Sequence, residues 1–245
     1  MFKLFKKKRK SFINPVKVDM HSHLIPGVDD GVKDFEESIT IIKKFLSLGY
    51  KKLITTPHIM KEFYDNSWDT LAEPFHELKK LLYEQRIPME IELGAEYHID
   101  EFFIEKLDRN EKMLTFGDNH ILVETSFYNA PVFLKDVLFE LMTKGYNPIF
   151  AHPERYFYLA QNSNLLNELK DMQILFQINI SSLQGYYGKH AKKIAEKIVE
   201  NGWVDFVGSD CHNIGHVDAL EKTIRSKSYQ SIEFKNIQNN RFFRR

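Results

Sequence analysis

The chain has 245 residues, 43% of them hydrophobic, which is enough for one large core, and its single cysteine, Cys211, excludes an intrachain disulfide. No apolar run approaches the ~20 residues of a membrane helix, and the basic start is not followed by the apolar stretch of a signal peptide. The 34 basic and 34 acidic residues cancel, but six positive charges sit in residues 1–10 (MFKLFKKKRK), leaving the rest at −6 and arguing against nucleic acid as a partner.

Residues 1–13 therefore read as a basic arm, residues 14–230 as one domain and residues 231–245 as a polar, irregular tail. The arm fits either a solvated terminus or an electrostatic contact with an anionic membrane surface, aided by Phe2, Leu4 and Phe5. The first expected strand, Val16–Met20, runs into His21 and His23. Asp34, with Glu37 three residues on, then opens a helix whose apolar face carries Phe35, Ile39, Ile42, Phe45 and Leu46 before Gly49 ends it. Strands at 52–56, 89–93, 121–123 and 148–150 meet His58, Glu96, Glu124 and His152 in turn. A sixth strand, 174–180, ends in Asn179-Ile180-Ser181 without an evident ligand, and the seventh, 205–208, leads to Asp210 and His212. Helices are expected at about 67–85, 131–144, 163–171 and 216–226, with another from Ala191 on the period of Ile194, Ala195, Ile198 and Val199. Seven alternating strand–helix units imply a parallel sheet with right-handed crossovers and a closed but irregular (β/α)7 barrel.

Residues at the carboxyl ends of successive parallel strands converge on one rim, where such folds keep their chemistry. Six of seven strand ends carry a metal-ligand residue type, a phase that scattered surface residues would not repeat. His21 and His23, two apart on an extended segment, face the same side. Each motif alone is weak: Asp29-Asp30-Gly31 reads as a turn, and Thr56-Pro57-His58 as a loop histidine. Together the candidates are His21, His23, Asp30, His58, Glu96, Glu124, His152, Asp210 and His212. Nine ligands exceed what one ion with an open position can use, so a multinuclear cluster follows. Nitrogen and oxygen donors suit manganese, iron or zinc better than magnesium. Three divalent ions would outweigh four carboxylates by two charges and favour an anionic substrate such as a phosphate.

The strings DMHSHLIPGVDDG, TTPH, GAE, VE, AHPER and GSDCHN resemble the polymerase-and-histidinol-phosphatase (PHP) superfamily, and most closely its bacterial manganese-dependent protein-tyrosine phosphatases of the CpsB/YwqE type. The motifs span residues 18–213 in the family's order. The resemblance implies a distorted (β/α)7 barrel, three metal ions with manganese first, and attack of a metal-bridging hydroxide on phosphotyrosine. It also implies a bacterial tyrosine kinase of capsule or exopolysaccharide export as substrate, and hence a cytoplasmic enzyme; contact of the arm with the inner face of the membrane stays one of its two readings. Glu96 would bridge two ions, with His21, His23 and Asp210 on the first and Glu124 and His152 completing the second. Asp30, His58 and His212 would hold the third. Arg155 matches an arginine that contacts phosphate. A second arginine of some relatives is missing after Asn213, which leaves His216 as a substitute candidate.

A related phosphoesterase acting on a small molecule such as histidinol phosphate is the alternative. A catalytically silent binding protein is disfavoured by the complete ligand set. A cysteine-dependent tyrosine phosphatase is excluded, because the position six after Cys211 is Val217 rather than arginine. His98 is expected at the surface, and His76, His120 and His190 lack ligand spacing. The loop aromatics Phe127, Tyr128, Tyr156, Phe157, Tyr158, Tyr186 and Tyr187 read either as loop packing or as a wall for a phenyl ring.

Overall fold

The computed structural model of the protein describes residues 14–230 and 232–243, so the basic arm lies outside the described residues. Strands β1 (Val18–Asp19), β2 (Lys52–Thr55), β3 (His58–Ile59), β4 (Glu90–Leu93) and β5 (Glu96–His98) are followed by β6 (His120–Glu124), β7 (Asn147–Ala151), β8 (Leu175–Asn179) and β9 (Phe206–Gly208). The ladders between these strands are all parallel, in the orders β1-β2-β4 and β3-β5-β6-β7-β8-β9. The expected second and third strands are each broken, at Thr56-Pro57 and Gly94-Ala95, and change sheets at the break. Counting each broken pair once restores seven strand positions, and the break is what distorts the (β/α)7 pattern. A Cβ at Gly94 would lie 2.6 Å from Phe116, so the second break needs glycine.

Helices α1 (Phe35–Ser47), α2 (Trp68–Glu84), α3 (Glu101–Asp108), α4 (Leu134–Thr143), α5 (Phe157–Gln161), α6 (Ser163–Asp171), α7 (Gly188–Glu200), α8 (Ile214–Ile224) and α9 (Lys227–Gln230) accompany the strands. Asp34 caps α1 by accepting from the Glu37 amide at 2.8 Å, while the Glu37 carboxylate reaches back to the Lys33 amide instead of closing a box on Asp34. The short α3, α5 and α9 have too few turns for a periodic pattern to reveal them.

Alternation along the strands sorts the core. Ile121 and Val123, Phe150, and Phe176 and Ile178 belong to the large apolar cluster that also holds the buried helix faces. Leu122, Ile149, Ala151 and Phe206 belong to a second, inner cluster with Val18, Met20 and Ile54. Two residues beyond Leu122 on the same face stands Glu124, and two beyond Leu175 stands Gln177. The inner face is thus apolar at the amino ends of the strands and polar at their carboxyl ends.

No regular ladder joins β9 to β1. Their seam is held by a bridge between Ser22 and Cys211, by His23 N to Cys211 O at 2.9 Å and by Asp210 N to His21 O at 2.9 Å. Lower down, the Asn239 side chain donates to Val18 O and Val207 O at 2.9 and 2.7 Å and accepts from Val207 N at 3.0 Å. Phe242 packs against Phe116, His120 and Phe206. The stretch set apart as an irregular tail therefore plugs the amino end of the strands and stitches the seam. Its composition misled because only two buried side chains, Asn239 and Phe242, do this.

Candidate metal centre

All nine candidate ligands meet at the carboxyl rim. Glu96, fully buried, lies at the middle: its carboxylate is 3.0 Å from His21 Nε2, 3.4 Å from His23 Nε2, 3.4 Å from His58 Nδ1 and 3.0 Å from His152 Nε2. Asp210 Oδ1 lies 3.4 Å from His21 Nε2 and 3.4 Å from His212 Nδ1. Glu124 faces His58 at 3.3 Å, and Asp30 Oδ1 lies 3.5 Å from His58 Nε2 and 3.4 Å from His212 Nε2. The side chains run from wholly buried at His21 to 55% exposed at Asp30, so the cluster has an inner and an outer end.

Three groups have donor atoms all within 4.8 Å of one another: His21, His23, Glu96 and Asp210; His58, Glu96 and Glu124; and His23, Asp30, His58 and His212. Ligands at ~2.1 Å from one ion stand up to ~4.2 Å apart, so each group needs only small closure to take a divalent cation. His58 Nδ1 is buried, faces two carboxylates and makes no hydrogen bond, which a shared ion would satisfy. The residues fit a metal. The grouping differs from the expected one in that His23 and His58 each fall in two of the groups, whereas His152, 3.0 Å from Glu96 and 3.9 Å from Glu124, falls in none of them.

The local backbone explains the convergence. His152 and Asp210 have φ of +33° and +51°, a left-handed turn that ends β7 and β9 and that non-glycine residues adopt at a cost of ~1 kcal/mol or more. A Cβ at Gly31 would lie 2.4 Å from His23 O, so the Asp29-Asp30-Gly31 turn can press against His23 only with glycine there.

At His21, His58, Glu96, Glu124 and Asp210 burial opposes the charged form, yet the opposite charges win. It works to lower the pKa of His21, but Glu96 and Asp210 push it up to about 9. His58 is pushed up to about 10 in the same way by Glu96 and Glu124. Against their own burial, Glu96 and Asp210 are held well below the carboxylate range, chiefly by His21, and Glu124 falls to about 2 through His58 and His98. His21 and His58 are thus drawn toward positive charge by the carboxylates around them, the same field that would favour a cation there.

Several supporting residues were not foreseen. Asp29 accepts from His23 Nδ1 at 2.8 Å and from the His58 amide at 3.0 Å, which leaves His23 Nε2 free to ligate. Gln177 does the same for His21 Nδ1 at 2.9 Å, and Asn179 links Gln177 to Asp210 Oδ2 at 2.9 and 2.8 Å. The strand without a ligand thus orients two of them. Glu154, wholly buried, accepts from Asn179 N and Ser182 Oγ. His98, expected at the surface, is largely buried with Nδ1 3.5 Å from Glu124. His120 lies at the far end of the strands, among Phe116, Phe206 and Phe242.

A cavity of about 620 Å³ opens over the cluster, walled by Met60, Tyr64, Phe127, Tyr128, Tyr187 and His216. Arg155 reaches into it, with Nη1 2.6 Å from Asp210 Oδ2. His216 is turned inward, its Nδ1 2.9 Å from the Asp210 carbonyl oxygen and 3.2 Å from the His212 amide nitrogen.

Parallel strands that deliver a His–carboxylate cluster and an arginine to one open cavity define a metal-binding enzyme for anionic substrates. The chain belongs to the family described as "Capsular polysaccharide synthesis, CpsB/CapC", whose sequence model matches residues 17–238. It is 32% identical over 197 residues to the tyrosine-protein phosphatase YwqE of Bacillus subtilis, covering 80% of this chain and 78% of that one. It is 30% identical over 202 residues to the tyrosine-protein phosphatase CpsB of Streptococcus pneumoniae, covering 80% and 83%. A crystal structure from work on YwqE and CpsB, described there as metal-dependent tyrosine phosphatases, superposes with a TM-score of 0.75 at 30% identity, covering 90% of this chain and 95% of that one. Histidinol phosphate phosphatase from Lactococcus lactis, at 15% identity and a TM-score of 0.52 over 87% of this chain and 94% of that one, shares the fold.

Proposed function

We propose that this chain is a metal-dependent protein-tyrosine phosphatase, a phosphoric monoester hydrolase acting on phosphotyrosine in a protein. The observation that carries it is the convergence of nine candidate ligands, with Glu96 at their middle, beside Arg155 in a cavity with aromatic walls. The family and the names of its relatives support the same reading over a small-molecule phosphoesterase. When bound, the divalent ions would supply Lewis-acid charge and lower the pKa of a coordinated water. Three ions, manganese first and iron or zinc second, are our reading of the three donor groups.

The chain's own residues do the rest. Asp29 and Gln177 hold the His23 and His21 rings so that each presents Nε2 to the cluster. Arg155 meets charge on the non-reacting phosphate oxygens with its N–H edge. A tyrosyl leaving group, with a pKa of ~10, needs less protonation than a serine alkoxide would. Elemental analysis with phosphotyrosine-peptide turnover tests this: about three transition-metal ions per chain are expected, with activity lost on chelation and restored better by manganese than magnesium. Fully active protein carrying one ion or none would sink the trinuclear reading.

We extend the proposal to a bacterial tyrosine kinase of capsule or exopolysaccharide export as substrate, met at the cytoplasmic face of the membrane. The family description and the six positive charges of residues 1–10 support this. Deleting residues 2–10 should weaken binding to anionic vesicles and leave soluble-peptide turnover intact; unchanged vesicle binding would remove the membrane role.

A further inference from the structure

The faces of two cavity aromatics are already occupied. The Arg155 guanidinium carbon lies 4.6 Å from the centre of the Phe127 ring and 4.5 Å from that of Tyr187, within cation–π range of both. These rings come from separate loops. Phe127 follows β6 and is tied to the Arg155 segment by Phe157 N donating to Phe127 O at 2.8 Å. Tyr187 sits between Gly185 (φ +77°) and Gly188 (φ +93°), in a turn that their left-handed conformations allow. The Tyr187 hydroxyl is buried and makes no hydrogen bond, so its ring is the working part. Among the described residues the guanidinium makes one hydrogen bond, from Nη1 to Asp210. Its other N–H groups stay free along the edge of the plane.

We propose that Phe127 and Tyr187 are positioning residues for phosphate capture: together they hold the Arg155 guanidinium in place beside the ligand cluster, leaving its N–H edge to bind phosphate oxygens. The proposal rests on the phosphatase reading for the identity of the anion. The two cation–π contacts hold the guanidinium without consuming its N–H donors, and the hydrogen bond to Asp210 anchors one end of it. An arginine so held has little rotamer freedom left to lose when phosphate arrives. These two rings are therefore not the free wall for a substrate phenyl ring that the sequence suggested.

Calorimetric titration of the metal-loaded protein with inorganic phosphate, alongside phosphotyrosine-peptide turnover, tests the clamp. Phe127→Leu and Tyr187→Leu should each weaken phosphate binding about three- to thirtyfold, the scale of one lost cation–π contact, with metal content and thermal midpoint kept. Tyr187→Phe, which keeps the ring, should bind phosphate like the parent. In an Arg155→Ala background the leucine changes should cause no further loss, because their effect runs through the arginine. An equal loss in both backgrounds, no loss in either, no phosphate binding by the parent, or loss of metal with the rings would each overturn the proposal. A parent that binds phosphate through the clamp yet leaves phosphotyrosine peptides intact would uphold the clamp and refute the phosphatase reading.

Discussion

Stripped of metal, the protein should lose stability as the pH rises from about 6.5 to about 9. His21 carries a pKa of about 9 and His58 of about 10 in the folded chain, against 6.5 as the ordinary value, because Glu96, Asp210 and Glu124 outweigh burial. A raised pKa means that the folded chain holds a proton the unfolded chain has released. Its contribution is whole below the unfolded value and is lost as the pH climbs through the folded one. The partner carboxylates Glu96, Asp210 and Glu124 are held low and stay ionised across this window. Asp19, pushed up to about 7 by burial, adds a loss of the same sign that ends near that pH. Each proton is worth about 1.4 kcal/mol per pH unit. Since both imidazoles lean on Glu96, one proton's worth over the window, about 3 kcal/mol, is the sounder expectation than two. Urea denaturation in chelator at pH values spanning the window measures it. Loading with manganese should abolish or reverse the slope, because metal binding displaces these protons and tightens as they leave. A chelated protein whose stability is flat or rises between these pH values would refute the account of the cluster as a proton-held cation site.

Arg155→Ala should keep metal and fold while cutting turnover roughly 10²–10³-fold, the scale of a lost transition-state donor, and Arg155→Lys should rescue only part of it; parent-like turnover in both would move the phosphate grip to His216. Removing the Asp29 carboxylate with Asp29→Ala should weaken metal binding about 10–100-fold in a metal titration, since His23 loses the partner that fixes its ring. Asn239→Ala strips three hydrogen bonds from buried backbone at the β1–β9 seam and should lower stability by about 2–4 kcal/mol in denaturant, with an effect under 1 kcal/mol refuting the seam role. Cys211→Ser should retain most turnover, because burial pushes the thiol pKa far up and leaves no thiolate for attack, and a trapped phosphocysteine would overturn this.

What the sequence determined by itself were the features carried by local period. Strand phase placed His21, Glu124 and Asp210 at carboxyl ends, and parallel strands bring such ends to one rim whatever the details of packing. Helical period located α1, α2 and α6 for the same reason: burial of one face repeats along the chain. The tertiary structure alone decided whatever depends on a partner far along it. Gln177 orients His21 across 156 residues, Asn179 reaches Asp210 across 31, and Asn239 joins Val18 across 221. Nothing in the composition around an asparagine or glutamine marks it as a buried crosslink, because the hydrogen bond that keeps it there exists only once two distant strands are neighbours. The clamp on Arg155 belongs to the same class: Phe127 and Tyr187 read as loop aromatics until the fold brings both rings within cation–π range of one guanidinium. The convergence of the candidate ligands was legible because they sit at strand ends, whereas the shell that aims them was not, because long-range topology assembles it.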